Sequence, residues 1–506
     1  MPRLPHSPGI GAFSSPCNPH TPLATFQGPA QETAPVSESP HTPSESDGAA
    51  SLWTRLTLFA GPLAGLLGAW AMTQAGWPEE ASYAVLITLW VVVWWVFEPI
   101  PIPVTSLLPL ALMPAFGVLP QAEVARAYGS PLILLLLGGF ILSTAMAHSG
   151  AHRRVALTMV QAFGSHSSRR LVLGFMAAAA VLSMWISNTA TTLMLLPVAL
   201  AVLERAPSPA LATPLLLGIA FSASVGGVGT PIGTPPNLIF MQVYENTTGT
   251  ALSFLDWMGW GVPVVLVMIP VLWLWLTRKL GALGPVTVPS PGPWRSAEAR
   301  VLALFALTAL AWITRSEPFG GWSGLLGMPG ASDAGVAFIA IVALFLIPDG
   351  AGGKLLNWKV AEQIPWGMLL LFAGGITIAR GFEATGISEA LGTQLSALAS
   401  FPPVITMAVI CLVITFLTEM TSNTATTTLM MPILAAAALG AGLPPELLMV
   451  PAAMSASCAF MMPVATAPNA IMFGTGRFTT RTMASEGVVL NLLGAGVITA
   501  VLMLVL

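Results

Sequence analysis

Apolar blocks of roughly 15 to 22 residues recur along this chain. A helix needs about 20 residues to cross the hydrocarbon of a bilayer, so the pattern predicts many full spans and some shorter or interrupted ones. The first fall at about 55 to 75, 82 to 98, 102 to 118 and 130 to 149, the third preceded by the rigid turn EPIPIPVT. The stretch AHRRVALTMVQAFG then breaks the pattern, being short and amphipathic, and predicts a helix lying on the surface. Further spans are expected near 211 to 229, 255 to 277, 299 to 314, 334 to 348, 365 to 380, 447 to 462 and 484 to 506.

Two blocks are polar where they should be most apolar. Ser183 to Pro197 reads SMWISNTATTLMLLP and Thr418 to Pro432 reads TEMTSNTATTTLMMP, with Ser187 and Ser422 set 235 residues apart (422 − 187). This is a duplication, and polar groups inside a membrane-spanning repeat mark a functional site shared by two halves. The block from Leu171 to Leu203 would make roughly 50 Å of helix, too long for one crossing and short for two with a turn. A re-entrant hairpin over 171–204 fits better, with SNT at its tip. Non-helical backbone is tolerated there only inside protein or a water-filled cavity. The second copy predicts a hairpin over 403–440, entering from the opposite face. Behind each lies a span broken by proline, VGTPIGTPPN in 211–246 and PVATAPN in 446–475, with Thr234 matching Thr466 and Asn237 matching Asn469. The segment ending at Gly150 also matches the one ending at Gly386. The expected fold is therefore an all-α polytopic membrane protein of about eleven spans and two re-entrant hairpins. It is arranged as two inverted halves, 51–290 and 291–506.

Composition agrees. Of 506 residues, 55% are hydrophobic and only 8% charged, too few charges for an ordinary soluble surface. Residues 1–50 have no apolar run and are rich in Pro, Ser, Thr and His, which predicts a disordered tail. The tail lacks the basic start and apolar core of a secretory signal, so the first span is expected to direct insertion. Threading with the N-terminus inside puts Arg153, Arg154, Arg169, Arg170, Arg278, Lys279 and most other cations on the cytoplasmic face. Arg126, Arg315 and Arg380 fall outside, as does the C-terminus. Cys17, Cys411 and Cys458 fit no metal spacing and read as small packing residues.

In each tip the pairs Ser183/Ser187 and Thr418/Ser422 are spaced i, i+4, which predicts two hydroxyls on one helix face, joined by the amides of Asn188 and Asn423. Together with helix C-terminal carbonyls they form a neutral oxygen cage suited to an alkali cation. The half-helices expected to begin at Thr189 and Thr424 offer free N–H groups and positive dipole ends to an anion such as a carboxylate. No arginine lies near either tip, so a substrate's charge would be met by dipoles, hydroxyls and bound cations.

The paired SNT motifs, the GTPPN and ATAPN breaks and the PIPVT turn resemble the divalent anion/sodium symporter family, the sodium–dicarboxylate transporters, over roughly residues 52–506. The resemblance implies a homodimer with a scaffold and an elevator-like transport domain in the plasma (inner) membrane. It implies sodium as coupling ion, held at one site by Ser183, Ser187, Asn188 and Gly233 and at a second by Thr418, Ser422, Asn423 and Ala465. Substrate contacts then fall on Asn188, Thr189, Thr234, Asn423, Thr424, Thr466 and Ala467. Ala467 departs from the TPPN often found at this place in the family, which leaves the choice of anion open. The expected function is sodium-driven import of a small divalent anion, foremost a C4-dicarboxylate such as succinate, malate or fumarate, with no enzymatic activity and no nucleic-acid partner. Alternatives within transport are a tricarboxylate, sulfate or phosphate substrate, or dicarboxylate exchange. A membrane hydrolase using Ser187 or Ser422 is weaker, because no His or Asp accompanies either serine. A channel fits inverted hairpins less well than alternating access does. Glu419 is an intramembrane acid with Met184 at the equivalent place, and reads as a structural partner ahead of a proton carrier. Gly61 and Gly65 predict close helix packing. Trp94, Trp95, Trp257 and Trp260 read as interfacial anchors, and His148 as an interfacial span end.

Overall fold

Within hydrocarbon only helices and closed barrels satisfy every backbone polar group. In the computed structural model, helices are accordingly the regular elements of the described residues, apart from one isolated bridge between Pro348 and Lys354. It describes residues 45–163, 167–206, 208–281, 289–317, 319–395 and 401–506, with backbone alone for 45–55 and 395. Residues 1–44 of the expected tail, Cys17 included, lie outside the described residues, and the first helix begins at Glu45.

The first half runs α1 (Glu45–Gln74), α2 (Glu79–Phe97), the short α3 (Ile102–Thr105) and α4 (Leu108–Ala115), α5 (Gln121–Tyr128), α6 (Pro131–Ser149) and the amphipathic α7 (Ala151–Phe163). Then come two helix pairs, α8 (Ser168–Ser183) with α9 (Asn188–Glu204), and α10 (Ala212–Gly227) with α11 (Pro235–Thr248), closed by α12 (Phe254–Thr277). The second half opens with α13 (Ser296–Ile313), α14 (Gly321–Leu325), α15 (Asp333–Leu346) and α16 (Trp358–Ala361). It then repeats the order, with α17 (Trp366–Ala384), α18 (Ile387–Leu395), the pair α19 (Pro403–Thr418) and α20 (Asn423–Ala441), the pair α21 (Glu446–Ser455) and α22 (Ala467–Phe473), and α23 (Thr480–Val505).

Among the described residues, nine helical segments are long and apolar enough to cross a bilayer. One of them is Asn423–Ala441, expected as a hairpin arm; the segments Ile102–Ala115, Asp333–Leu346 and Glu446–Ser455, expected as spans, are shorter. A small apolar core joins α2, α4, α5 and α17 through Ile87, Trp95, Met113, Val124 and Leu371, and reaches the second hairpin at Ala425. A much larger core takes in the hairpins and broken helices.

Lipid is as apolar as leucine, so close backbone approach does much of the packing. Gly61 and Gly65 of α1 lie against Trp94 and Leu86 of α2, as expected, and a Cβ at Gly226 of α10 would overlap the Ala180 carbonyl of α8. The tryptophans correct the sequence reading. Trp95 is buried and donates to Ser106 Oγ at 3.0 Å, while Trp257 has no exposed surface and donates to Val228 O at 2.8 Å. Trp94 is buried and donates to Leu58 O, and Trp260 is half-buried against Trp257. Sequence position alone hid these roles, because an indole at a span end anchors equally well to headgroups or to a neighbouring carbonyl.

Charge gathers at the helix ends. Arg154 pairs with Glu298 at 2.6 Å, Arg295 donates to Ser149 O at 2.7 Å, Arg169 to Leu280 O at 3.2 Å, and Arg278 pairs with Glu486 at 2.7 Å. These contacts bring together the ends of α6 and α12 and the starts of α7, α8, α13 and α23. Separate pairs lie elsewhere, Arg380 of α17 with Glu123 of α5 at 3.0 Å, and Arg315, just past the end of α13, with Asp333 at the start of α15 at 2.5 Å. Glu446, at the start of α21, accepts from Tyr244 near the end of α11. Cysteines placed at Arg170 and Glu446 should therefore react with impermeant reagents from opposite faces of the membrane. Labelling of both from one face would overturn this arrangement.

Candidate functional site

Each SNT motif begins a helix. Ser187 Oγ accepts from Ala190 N at 3.2 Å and Ser422 Oγ from Ala425 N at 3.1 Å, the usual work of an N-cap serine. The new helices start at Asn188 and Asn423, one residue earlier than expected. The expectation of two hydroxyls on one helix face is also corrected. Ser183 ends α8 and Thr418 ends α19, so each pair straddles the tip, with Ser187 and Ser422 engaged as caps of the following helix. The hydroxyl that meets the asparagine is the earlier one: Ser183 Oγ donates to Asn188 Oδ1 at 2.5 Å, and Thr418 Oγ1 to Asn423 Oδ1 at 2.9 Å. Capping uses the third and fourth N–H of each helix through Ser187 and Ser422 (Ala190 and Thr191; Ala425 and Thr426), leaving those of Asn188, Thr189, Asn423 and Thr424 as first-turn donors.

The broken elements are held by a second duplicated device. Asn237 Nδ2 donates back to Gly227 O at 2.9 Å and Thr230 O at 2.7 Å; Asn469 Nδ2 donates to Ala459 O at 3.0 Å and Met462 O at 3.1 Å. Both amides are fully buried, and among the described residues both Oδ1 atoms lack a donor. Thr234 and Thr466 are the N-caps of α11 and α22, and Thr466 accepts from Asn469 N at 3.2 Å.

Hairpin and broken helix meet at the tips. A Cβ at Gly227 would come within 2.8 Å of Asn188 Oδ1, 3.1 Å of Gly233 O and 3.1 Å of Thr234 Cβ. Ser183, Asn188, Gly227, Gly233 and Thr234 thus form one cluster, around a position where only glycine leaves room. In the second half Thr418 Oγ1 also lies 3.0 Å from Ala456 O. Ala465 gives its N–H to Met462 O at 3.2 Å, which leaves its carbonyl as the group it can offer, and Ala467 opens α22. Gly227 and Ala456 were missed in the sequence, although the carbonyls closing a helix just before a proline break are the signal that would have found them. Trp257, read as an interfacial anchor, and Thr230, which was missed, act here as well. The first steadies Val228 O and the second donates to Met184 O, tying the first break to its hairpin.

Glu419 resolves as a structural partner. It is buried at 4% exposure, and Oε1 accepts from Phe460 N at 2.6 Å, Met461 N at 2.8 Å and Asn491 Nδ2 at 2.8 Å, while Oε2 accepts from Met462 N at 2.9 Å. The carboxylate replaces missing helix. Gly227, the last residue of α10, matches Ala459, yet α21 already stops at Ser455. In the first half the equivalent N–H groups of Val228 and Gly229 bond locally to Val225 O and Gly226 O, and no acid is needed.

The family model described as CitMHS, citrate transporter, matches residues 92–447. The sodium-dependent dicarboxylate transporter SdcS of Staphylococcus saprophyticus is 38% identical over 469 residues, covering 88% of this chain and 90% of that protein. SdcS of Staphylococcus aureus strain USA300 is 38% identical over 474 residues, covering 87% and 89%. Among solved structures, the Alcanivorax borkumensis YdaH transporter, described as having an unusual topology, superposes with a TM-score of 0.57 at 15% identity. It covers 76% of this chain and 87% of that one, and bears on the fold alone.

Glu419→Gln keeps the side chain's size but turns an N–H2 toward peptide donors. Loss of charge-assisted hydrogen bonds should cost about 2–3 kcal/mol. Thermal unfolding of the purified protein measures this, and a variant as stable as the parent would remove the clamp role.

Proposed function

The chain belongs to the citrate transporter family and to its divalent anion/sodium symporters, and from that premise we propose that it is a sodium-coupled importer of C4-dicarboxylates such as succinate, malate or fumarate. The observation that carries this reading is the doubled tip. Ser183 on Asn188 and Thr418 on Asn423 gather neutral oxygens next to helix starts with free N–H groups. Neutral oxygens suit a hard alkali cation, and helix N-termini suit a carboxylate.

Sodium at Ser183, Ser187, Asn188 and Gly233, with Gly227 beside them, and at Thr418, Ser422, Asn423 and Ala465 would place positive charge against an anion held by Asn188, Thr189, Thr234, Asn423, Thr424, Thr466 and Ala467. Without a basic side chain at either tip, the anion gains from sodium already bound, and the two ligands bind interdependently. The names of the relatives support sodium and dicarboxylate over the citrate of the family description. The hairpins, the matched broken helices and the separation of basic from other helix ends support eleven spans in inverted halves. A cytoplasmic N-terminus, a homodimer and elevator motion of the hairpin-bearing part complete the reading. The small core around α2, α4, α5 and α17 would be the fixed part.

The deciding experiment reconstitutes the protein in liposomes and follows labelled succinate. An inward sodium gradient should drive accumulation that choline does not, and unlabelled malate and fumarate should compete better than citrate, sulfate or phosphate. Uptake indifferent to sodium, or strongest competition by citrate, would overturn the assignment. Within that assay, Ser183→Ala and Thr418→Ala should each raise the sodium concentration for half-maximal uptake on the order of tenfold, as one oxygen is lost. Succinate affinity at saturating sodium should change far less. Sodium dependence unchanged in both variants would remove these residues from the cation sites.

A further inference from the structure

Beside the first hairpin lies a cavity of about 590 Å³, walled on one side by Ala190, Leu193 and Pro197 of α9 and on the other by His152 and Arg153 of α7. It borders the tip, because the Ala190 N–H is the group held by Ser187 Oγ at 3.2 Å. The charge in its wall is uneven. The neighbouring Arg154 and Arg295 line a separate cavity and are both spent on Glu298, at 2.6 and 2.7 Å. Burial holds His152 below its ordinary pKa, and its Nδ1 sits 3.0 Å from Met146 O. Arg153 is exposed, and among the described residues no carboxylate pairs with it.

The repeat supplies an internal control. A cavity of about 610 Å³ lies at the equivalent place beside the second hairpin. Pro432 there matches Pro197, and Ser388 and Glu389 match His152 and Arg153 (388 − 152 and 389 − 153, both 236). Glu383 lines it too. One backbone plan thus yields two cavities of similar size and opposite charge. A cytoplasmic excess of cations would explain an arginine somewhere on α7, but it does not require an unpaired one facing the hairpin arm.

We propose that the Arg153 cavity is an anion ante-site, where one carboxylate of a dicarboxylate rests on the guanidinium as it approaches or leaves the tip of the first hairpin. The identity of that anion rests on the function proposed above; the electrostatics of the cavity do not. A single charge a few ångströms from the path, in water-like surroundings, changes local ion concentration about threefold per unit of probe charge.

The test places cysteine at Leu193, half-exposed in this cavity, and separately at Leu439 in the other. The background is the full-length purified protein with Cys17→Ser; Cys411 and Cys458 are buried. Each is labelled with anionic sulfonatoethyl and cationic trimethylammonium-ethyl methanethiosulfonate. Leu193→Cys should favour the anionic reagent and Leu439→Cys the cationic one. Adding Arg153→Gln should lower the anionic-to-cationic rate ratio at position 193 about tenfold, and Arg153→Lys should preserve it. Succinate should slow anionic labelling at 193 only while Arg153 is present. An unchanged ratio in Arg153→Gln overturns the ante-site, even if succinate is transported. A ratio that falls as expected, without protection by succinate, upholds the ante-site and counts against the dicarboxylate reading instead.

Discussion

Backbone that leaves the helix inside a membrane must find partners in the protein, and the rest of this structure depends on how that demand is met. Four breaks need it: two hairpin tips and two interrupted helices. At the tips the capping serines take up N–H groups of the first turn. In the interrupted helices a buried asparagine reaches back to carbonyls ten and seven residues before it, in both halves. The asparagine amide has two donors and satisfies two carbonyls that a continuing helix would have bonded. What remains free is the chemistry available to ligands, oxygens on one side of each tip and first-turn N–H groups on the other.

This division explains why the charged side chains sit elsewhere. An arginine at a tip would need compensation in a low-dielectric interior, whereas peptide dipoles are already paired at one end and cost little to aim. The arginines with resolved ion pairs lie at helix ends, where Glu123, Glu298, Asp333 and Glu486 meet them. Glu419 is the acid that sits at a tip, and its four N–H partners do for the carboxylate what a cation would otherwise have to do.

The sequence made the repeat legible because the polar words SNT and the proline breaks stand out against apolar surroundings. The hairpin ends at 171–204 and 403–440 fall within three residues of α8–α9 and α19–α20. Local chemistry was less legible. An i, i+4 spacing implies a shared face only if the helix continues, and here it stops at Ser183 and Thr418, which gave Ser187 and Ser422 a capping role the spacing did not reveal. Gly227 and Ala456 act through backbone, and backbone carries no residue-type signal. Trp257 was misread because its partner, the Val228 carbonyl, comes from a different helix.

Duplication therefore supplied the chemistry, while divergence changed what holds it. The first break is tied to its surroundings by an indole and a threonine hydroxyl, each a single hydrogen bond from a neutral group. The second is gripped by a carboxylate that joins hairpin, break and α23 at once, since Glu419 sits on the tip and Asn491 on α23. Charge-assisted bonds are roughly twice as strong as neutral ones and polarise one another in a dry interior. The second break is also longer, because α21 ends four residues before the place that matches the end of α10. A longer stretch without helical bonds has more freedom to lose, so the stronger clamp stands where the chain most needs restraint. The same SNT sequence is thus carried on two supports, one continued by helix and the other by a buried acid.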